Sequence, residues 1–235
     1  MNVCCQFIKQ ETIQTKTDSL LSSIFVEELI VMRKTKKEAD NTKQSILDAA
    51  VRLFSEHGVA KTSLQKIAQA ANVTRGAVYW HFSSKQDIFE ALHDQLHLPF
   101  IQMITDGLEA VSPNAIVQLQ EVCTKLLIDL EENETKKKIA TLFLLRCDYS
   151  DEFAQSKDRY NVKKKQKHVT LSRYFDKAIK QGVLPENTDS MLLSIGISAY
   201  LRGIAVEYLE DPDAFSMQEN AAKLIGMYFG KLQTV

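Results

Sequence analysis

Apolar residues recur along this chain at spacings of three and four, and no run alternates over a strand's length, so the pattern predicts an all-α fold. Ile46, Ala50, Leu53 and Phe54 form one apolar face of a helix from about Ala39 to His57, and Gly58 can end it in the left-handed conformation. Leu64, Ile67 and Ala68 give the buried side of a short second helix. Thr62 or Ser63 can cap it, and Thr62 with Gln65 has capping-box spacing. After the turn Ala71-Asn72-Val73, Thr74 caps a third helix. Asn72 lies where such a turn wants positive φ, which asparagine tolerates best after glycine.

On a wheel of 100° per residue, Val78 and Phe82 of the third helix face the core and Gly76 and Trp80 point away from it. Arg75 and Tyr79 flank one side, Ala77 and His81 the other. A purely structural helix gains nothing from an outward tryptophan beside a glycine, because both choices cost stability. A helix laid against another surface uses them: Gly76 and Ala77 permit close approach, and Arg75, Tyr79, Trp80 and His81 supply donors and planar contacts. The surface this pattern predicts is the major groove of DNA.

A fourth helix starts near Ser84 and extends past Pro99, which should bend or break it. Further helices follow at about Ala115 to Asn133, Thr135 to Cys147, and Glu152 to Gln181. The last of these is mostly polar outside and is expected to bury Val162, Val169, Tyr174, Phe175, Ala178 and Ile179. Gly182-Val183 and Pro185 stop it. Two final helices, near Asn187 to Glu210 and Met217 to Lys231, are apolar around more than one face and carry small residues such as Gly196, Ala199 and Gly203. One face can pack inside the subunit, and the spare face suggests a partner.

Charge separates the chain into parts. Residues 32–85 hold ten Lys and Arg against four Asp and Glu, whereas residues 86–235 hold 17 against 22, so the formal net charge of −1 hides a basic module on an acidic body. Arg33, Lys34, Lys36, Lys37 and Lys43 read either as a basic arm reaching phosphates or the minor groove, or as a solvated lead-in to the first helix. Residues 1–31 fit nothing downstream. Met32 would serve as a natural start, so they read as an over-extended reading frame or a loose arm. The four cysteines, Cys4, Cys5, Cys123 and Cys147, have neither zinc-ligand spacing nor a disulfide pattern, which fits a reducing cytoplasm. Leu20 to Val31 is too short for a membrane span, and no membrane partner is expected.

The run GVAKTSLQKIAQAANVTRGAVYWHFSSKQDIF, residues 58–89, resembles the DNA-binding domain of the tetracycline-repressor (TetR) family, nearest its AcrR-like regulators of multidrug efflux. The elements that carry the resemblance are Gly58, Thr62, Ile67-Ala68, Ala71, Val73-Thr74, Gly76, Tyr79, His81-Phe82 and Lys85. Asn72 replaces the glycine common there. The resemblance implies a three-helix helix-turn-helix domain over 32–86 and a helical regulatory and dimerisation domain over 87–235. It implies DNA contacts from Thr62, Thr74, Arg75, Gly76, Ala77, Tyr79, Trp80, His81 and Lys85, with Thr74, Tyr79, His81 and Lys85 on phosphates and Arg75, Gly76, Ala77 and Trp80 nearest the bases. Lys85 also adds a cation where helix-terminal amides favour a phosphate. The implied partners are a pseudo-palindromic double-stranded operator, a second copy docked through the last two helices, and a small apolar or cationic inducer. The run LFLLRCDYSDEF, residues 142–153, sets Phe143 and Cys147 near that ligand. The implied work is transcriptional repression of an efflux operon, in the cytoplasm on nucleoid DNA.

Two other readings stand beside this one. A constitutive DNA-binding regulator needs no ligand. A helical metalloprotein would use His93 and His97, whose i, i+4 spacing matches a zinc motif with Asp94 inside it, but a third ligand is not evident. No Ser/His/Asp, Cys/His or Gly-rich phosphate-binding arrangement supports catalysis, and no cofactor is expected.

Overall fold

A computed structural model describes residues 35–146 and 154–230; the proposed start at Met32, residues 1–31 and Cys147 lie outside them. The chain divides into two compact units, 1–45 and 46–235. In the first, residues 35–45 are helical, so from Thr35 onward the basic segment is a helix rather than an extended arm. In the second, the described residues are helical with no strand. Helical residues 46–57 (α1) are followed by α2 (Leu64–Ala70), α3 (Arg75–His81), α4 (Lys85–Glu109), α5 (Ala115–Glu132), α6 (Glu134–Thr141), α7 (Ala154–Lys180), α8 (Ser190–Glu210) and α9 (Met217–Phe229).

Local chemistry sets most of these boundaries. Gly58 and Gly182 have φ of 79° and 70°, and Asn72 has φ of 54°, the left-handed turns expected of them. Ser63, Thr74, Ser84, Asn114, Asn133, Asp189 and Ser216 each accept a backbone N–H of the helix they precede. Pro99 does not end α4, which continues to Glu109. Proline only withholds the bond that an N–H at 99 would give, and Phe100 and Ile104 on the far side are buried enough to hold the helix together. After α6 the chain loosens into one π-helical turn, Leu142–Arg146, where a continuous α-helix was expected.

Two apolar cores result. One joins Ile46, Ala50 and Phe54 of α1, Ile67 of α2, Val78 and Phe82, and then Ile88, Phe89 and Leu92 of α4 with Ile139, Leu142 and Phe143. The reader of the sequence motif therefore shares its core with the start of α4 and with the π turn. The other core is the body: α4 from Phe100 onward, α5, α7, α8 and α9 around Leu119, Tyr174, Phe175, Ile197 and Phe229. Gly196 on α8 allows a close approach, since a Cβ there would stand 2.6 Å from the Tyr228 hydroxyl of α9. Tyr228 and Tyr200 stack at 5.3 Å and donate to Leu193 O and Leu224 O, tying α8 to α9.

The buried face of α7 differs from the one expected. Val162 and Val169 are exposed, while Leu171, Tyr174, Phe175 and Ala178 are buried. One heptad before Leu171, Tyr174 and Phe175 lie Lys164, Lys167 and His168, of which Lys167 and His168 are half-buried and Lys164 is exposed.

Candidate nucleic-acid interface and body cavity

Every side chain of α3 that the wheel sends outward is available at the surface. Trp80 is 74% exposed, Tyr79 is exposed, and Gly76 is open except for Thr74 Oγ1 at 3.8 Å from where a Cβ would sit. Val78 and Phe82 anchor the opposite face. Thr74 Oγ1 accepts the Ala77 N–H at 3.1 Å, fixing the first turn. The Arg75 guanidinium donates to the Tyr79 hydroxyl at 3.1 Å and lies 5.3 Å from its ring centre, so the arginine is held along the helix. The Trp80 and His81 rings meet edge to face at 4.5 Å.

Thr62 differs from these residues in its burial. It is only 3% exposed, and its hydroxyl donates to Gly58 O at 2.9 Å, which ties the end of α1 to the start of α2. Ser63, not Thr62, caps α2, by accepting the Lys66 N–H at 3.2 Å. Threonine inside and serine outside place one hydroxyl on the loop and the other on the helix, and spacing alone did not distinguish them.

The start of α4 is more fully committed than expected. Ser84 and Asp87 form a reciprocal capping box, and Asp87 Oδ2 also accepts the Ser83 N–H at 2.9 Å. The Lys85 ammonium donates to Ala60 O at 3.3 Å. Arg75→Ala should weaken operator binding by about 1–3 kcal/mol and relax sequence preference, whereas Lys85→Ala should weaken every sequence alike and flatten the salt dependence. Titrations of operator and random duplexes at several salt concentrations separate the two.

Behind the reader, the body holds a half-open cavity of about 350 Å³. Leu96, Pro99, Phe100 and Met103 of α4 line one wall, Leu126, Leu127 and Leu130 of α5 a second, and Phe143 and Leu144 of the π turn a third. The volume and mostly apolar lining suit a small molecule. Phe143 also belongs to the reader's core, with its ring 4.8 Å from Phe89 and 5.3 Å from His93. Arg146, at the end of the same turn, donates to Ser55 O of α1 at 2.7 Å.

The remaining wall is basic. Lys164, Lys167 and His168 of α7 and Arg202 of α8 line it, and the one carboxylate in the lining, Asp129, is paired with Lys136.

His93 and His97 lie beside the cavity with ring centres 4.1 Å apart. Burial, then Lys163, pushes His93 down to about 4; burial, then His93 and Lys167, pushes His97 down to about 3. The lysines that oppose a proton also oppose a metal ion, and among the described residues no three His, Cys, Asp or Glu gather as a metal set. Cys123 is buried and its thiol is pushed up to about 12, so it is a packing residue rather than a reactive one.

Because both histidines are neutral when folded but titrate near 6.5 when unfolded, they contribute nothing to pH dependence above that value. Below it the unfolded chain takes up protons that the fold resists, so stability is lost at up to about 1.4 kcal/mol per pH unit for each histidine, down to about pH 4 for His93 and below that for His97. Urea midpoints measured from pH 7 to pH 4 should fall accordingly, and should fall less in a His93→Gln/His97→Gln variant.

The family described as "Bacterial regulatory proteins, tetR family" matches residues 46–92, and the "MAATS-type transcriptional repressor, C-terminal region" matches residues 114–234, more than half of the chain. The chain belongs to the TetR family. It is 30% identical over 206 residues to the HTH-type transcriptional regulator AcrR of Shigella flexneri, covering 83% of this chain and 93% of AcrR. It is 28% identical to the HTH-type transcriptional regulator TtgR of Pseudomonas putida, with the same coverages. The crystal structure of NalD, the secondary repressor of the MexAB-OprM multidrug efflux pump in Pseudomonas aeruginosa, superposes with a TM-score of 0.72 at 30% identity, over 84% of this chain and 98% of that one. A complex of SmeT with triclosan also gives 0.72, at 28% identity, over 81% and 90%. These relatives are transcription regulators, and the chain is accordingly a helix-turn-helix regulator of the TetR repressor family, which binds operator DNA and small ligands.

Proposed function

We propose that this chain is a homodimeric repressor of a drug-efflux operon, released from its operator when a small molecule fills the body cavity. The observation that carries this reading is the double membership of Phe143, which lines the cavity and packs in the core of the DNA reader. A ligand that moves Phe143 and the α4 wall also moves Phe89 and Leu92, on which α1 and α3 rest. It shifts the equilibrium by the difference in its affinity for the two states. The DNA-contacting set is then Thr74, Arg75, Gly76, Ala77, Tyr79, Trp80, His81 and Lys85.

Support for a dimer comes from α8 and α9. The first is apolar enough by length and composition to pass for a membrane span, yet its own subunit covers only part of it. Leu192 is 64% exposed, Met227 on α9 is 68% exposed, and Ile195, Ala199, Gly203 and Gly226 add small or apolar surface open to a neighbour. A two-fold pair presents two α3 helices to half-sites roughly 34–36 Å apart, which turns a few base contacts into a usable specificity. The role of NalD as a repressor of a multidrug efflux pump points to the regulated genes.

Light scattering tests the assembly, and footprinting upstream of the neighbouring transcription unit followed by operator-release titration tests the regulation. A monomer at micromolar concentration would overturn the dimer, and a ligand that binds without releasing DNA would favour a constitutive regulator.

A further inference from the structure

We infer that the cavity is built for an amphiphilic monoanion, an apolar body bearing one carboxylate or sulfonate, with the anionic end at the junction of α7 and α8. The inference rests on the reading of this cavity as the effector site and specifies its ligand class.

Charge in the cavity wall is one-sided. Lys164 and Lys167 reach it from α7 and Arg202 from α8, and none of the three has a hydrogen bond or ion pair to a carboxylate among the described residues. The nearby lysines that do have partners are different ones: Lys163 pairs with Asp94 of α4, and Lys136 with Asp129. Burial, and after it the charges of Lys164 and Arg202, push Lys167 down to about 8. At neutral pH it remains a cation, held against a penalty that a nearby anion would relieve.

Two neutral polar atoms point to the same region. His168 Nε2 and Ser198 Oγ are buried, line the cavity through their residues and have no hydrogen-bond partner. Buried polar atoms are nearly always satisfied, so two orphans beside three unneutralised cations mark a missing acceptor-rich group. The opposite wall, Leu96, Phe100, Met103, Leu127 and Phe143, is apolar and sets the other end of the ligand. A carboxylate or sulfonate accepts several charge-assisted bonds at once while its body fills the rest.

Three probes sharing one apolar body decide the matter: naphthylacetate, naphthylethanol and naphthylmethyl-trimethylammonium, each titrated by calorimetry into the full-length protein and then into its operator complex. Naphthylacetate should bind at least about tenfold tighter than the ammonium probe, in keeping with charge-assisted hydrogen bonds, and should lose affinity as salt rises. Lys167→Met and Arg202→Met should each cut its advantage over naphthylethanol about tenfold. Arg202 is exposed, so its variant tests the idea even where Lys167→Met folds poorly. Binding of the ammonium probe as tight as that of the acid, an advantage that survives both substitutions, or no binding by any probe would overturn the inference. Operator release by all three probes alike would overturn it while leaving the regulator reading intact. Tight selective binding of the acid without release would uphold the cavity chemistry and defeat the regulator reading instead.

Discussion

Gly76→Leu is expected to abolish operator binding, a loss of more than about a hundredfold or about 2.7 kcal/mol, in a protein that is at least as stable as the parent. The two effects separate because the free protein has nothing to clash with. A Cβ at this position meets only Thr74 Oγ1 at 3.8 Å, an ordinary contact, and the residue sits in the first turn of a helix, where glycine costs about 0.5 kcal/mol against alanine. In the complex the same side chain would stand between the α3 backbone and the groove, displacing Arg75 and Trp80 from the bases. Gly76→Ala should show both effects at smaller scale, with an unfolding midpoint about 1–2 °C higher and operator affinity down about tenfold. Fluorescence anisotropy with a labelled operator and a thermal melt are enough to check it. Undiminished operator affinity in the leucine variant would mean that α3 docks by another face.

The second large effect is expected at Phe143. Phe143→Ala removes a ring that packs on Phe89 and His93, a truncation that costs about 3–5 kcal/mol in a closed core. The site borders an existing cavity, so the loss should fall toward the lower end of that range. The regulatory effect is separate. With the ring gone, a bound molecule no longer presses on the reader's core, and the ligand concentration needed for operator release should rise about tenfold, within the usual span of coupling energies. Urea denaturation reads the first effect, and release titration with naphthylacetate reads the second. Phe143→Leu preserves most of the packing and should recover stability before it recovers the response.

How much of this was legible beforehand differs by element. The turn at Asn72 and the outward pole at Gly76 and Trp80 were readable because short, capped helices leave one consistent wheel, and the asparagine had one conformational reason to be there. At Thr62 spacing locates a hydroxyl without saying which way it points; the Gly58 carbonyl, to which it donates, accounts for its burial. On α7 the apolar pattern was sparse, and Val162 and Val169 suggested a rotation that Leu171, Tyr174 and Phe175 overrule. Counting back seven residues from that buried trio would have found Lys164, Lys167 and His168. Arg202 and Ser198 had no such signal, because α8 is apolar on several faces and its register against α7 is set by tertiary packing.

That the reader's core closes only with Ile139, Leu142 and Phe143 has a consequence for modularity. A fragment ending after Leu92 would leave an uncovered greasy face where the π turn belongs, so the DNA-binding portion is not a cassette that can be excised and fused at will. Chimeras that pair this reader with a foreign sensor should fold and respond only if the donor sensor supplies side chains of matching size at 139, 142 and 143. Exchange of specificities among such regulators is thereby confined to partners whose graft carries those three positions along.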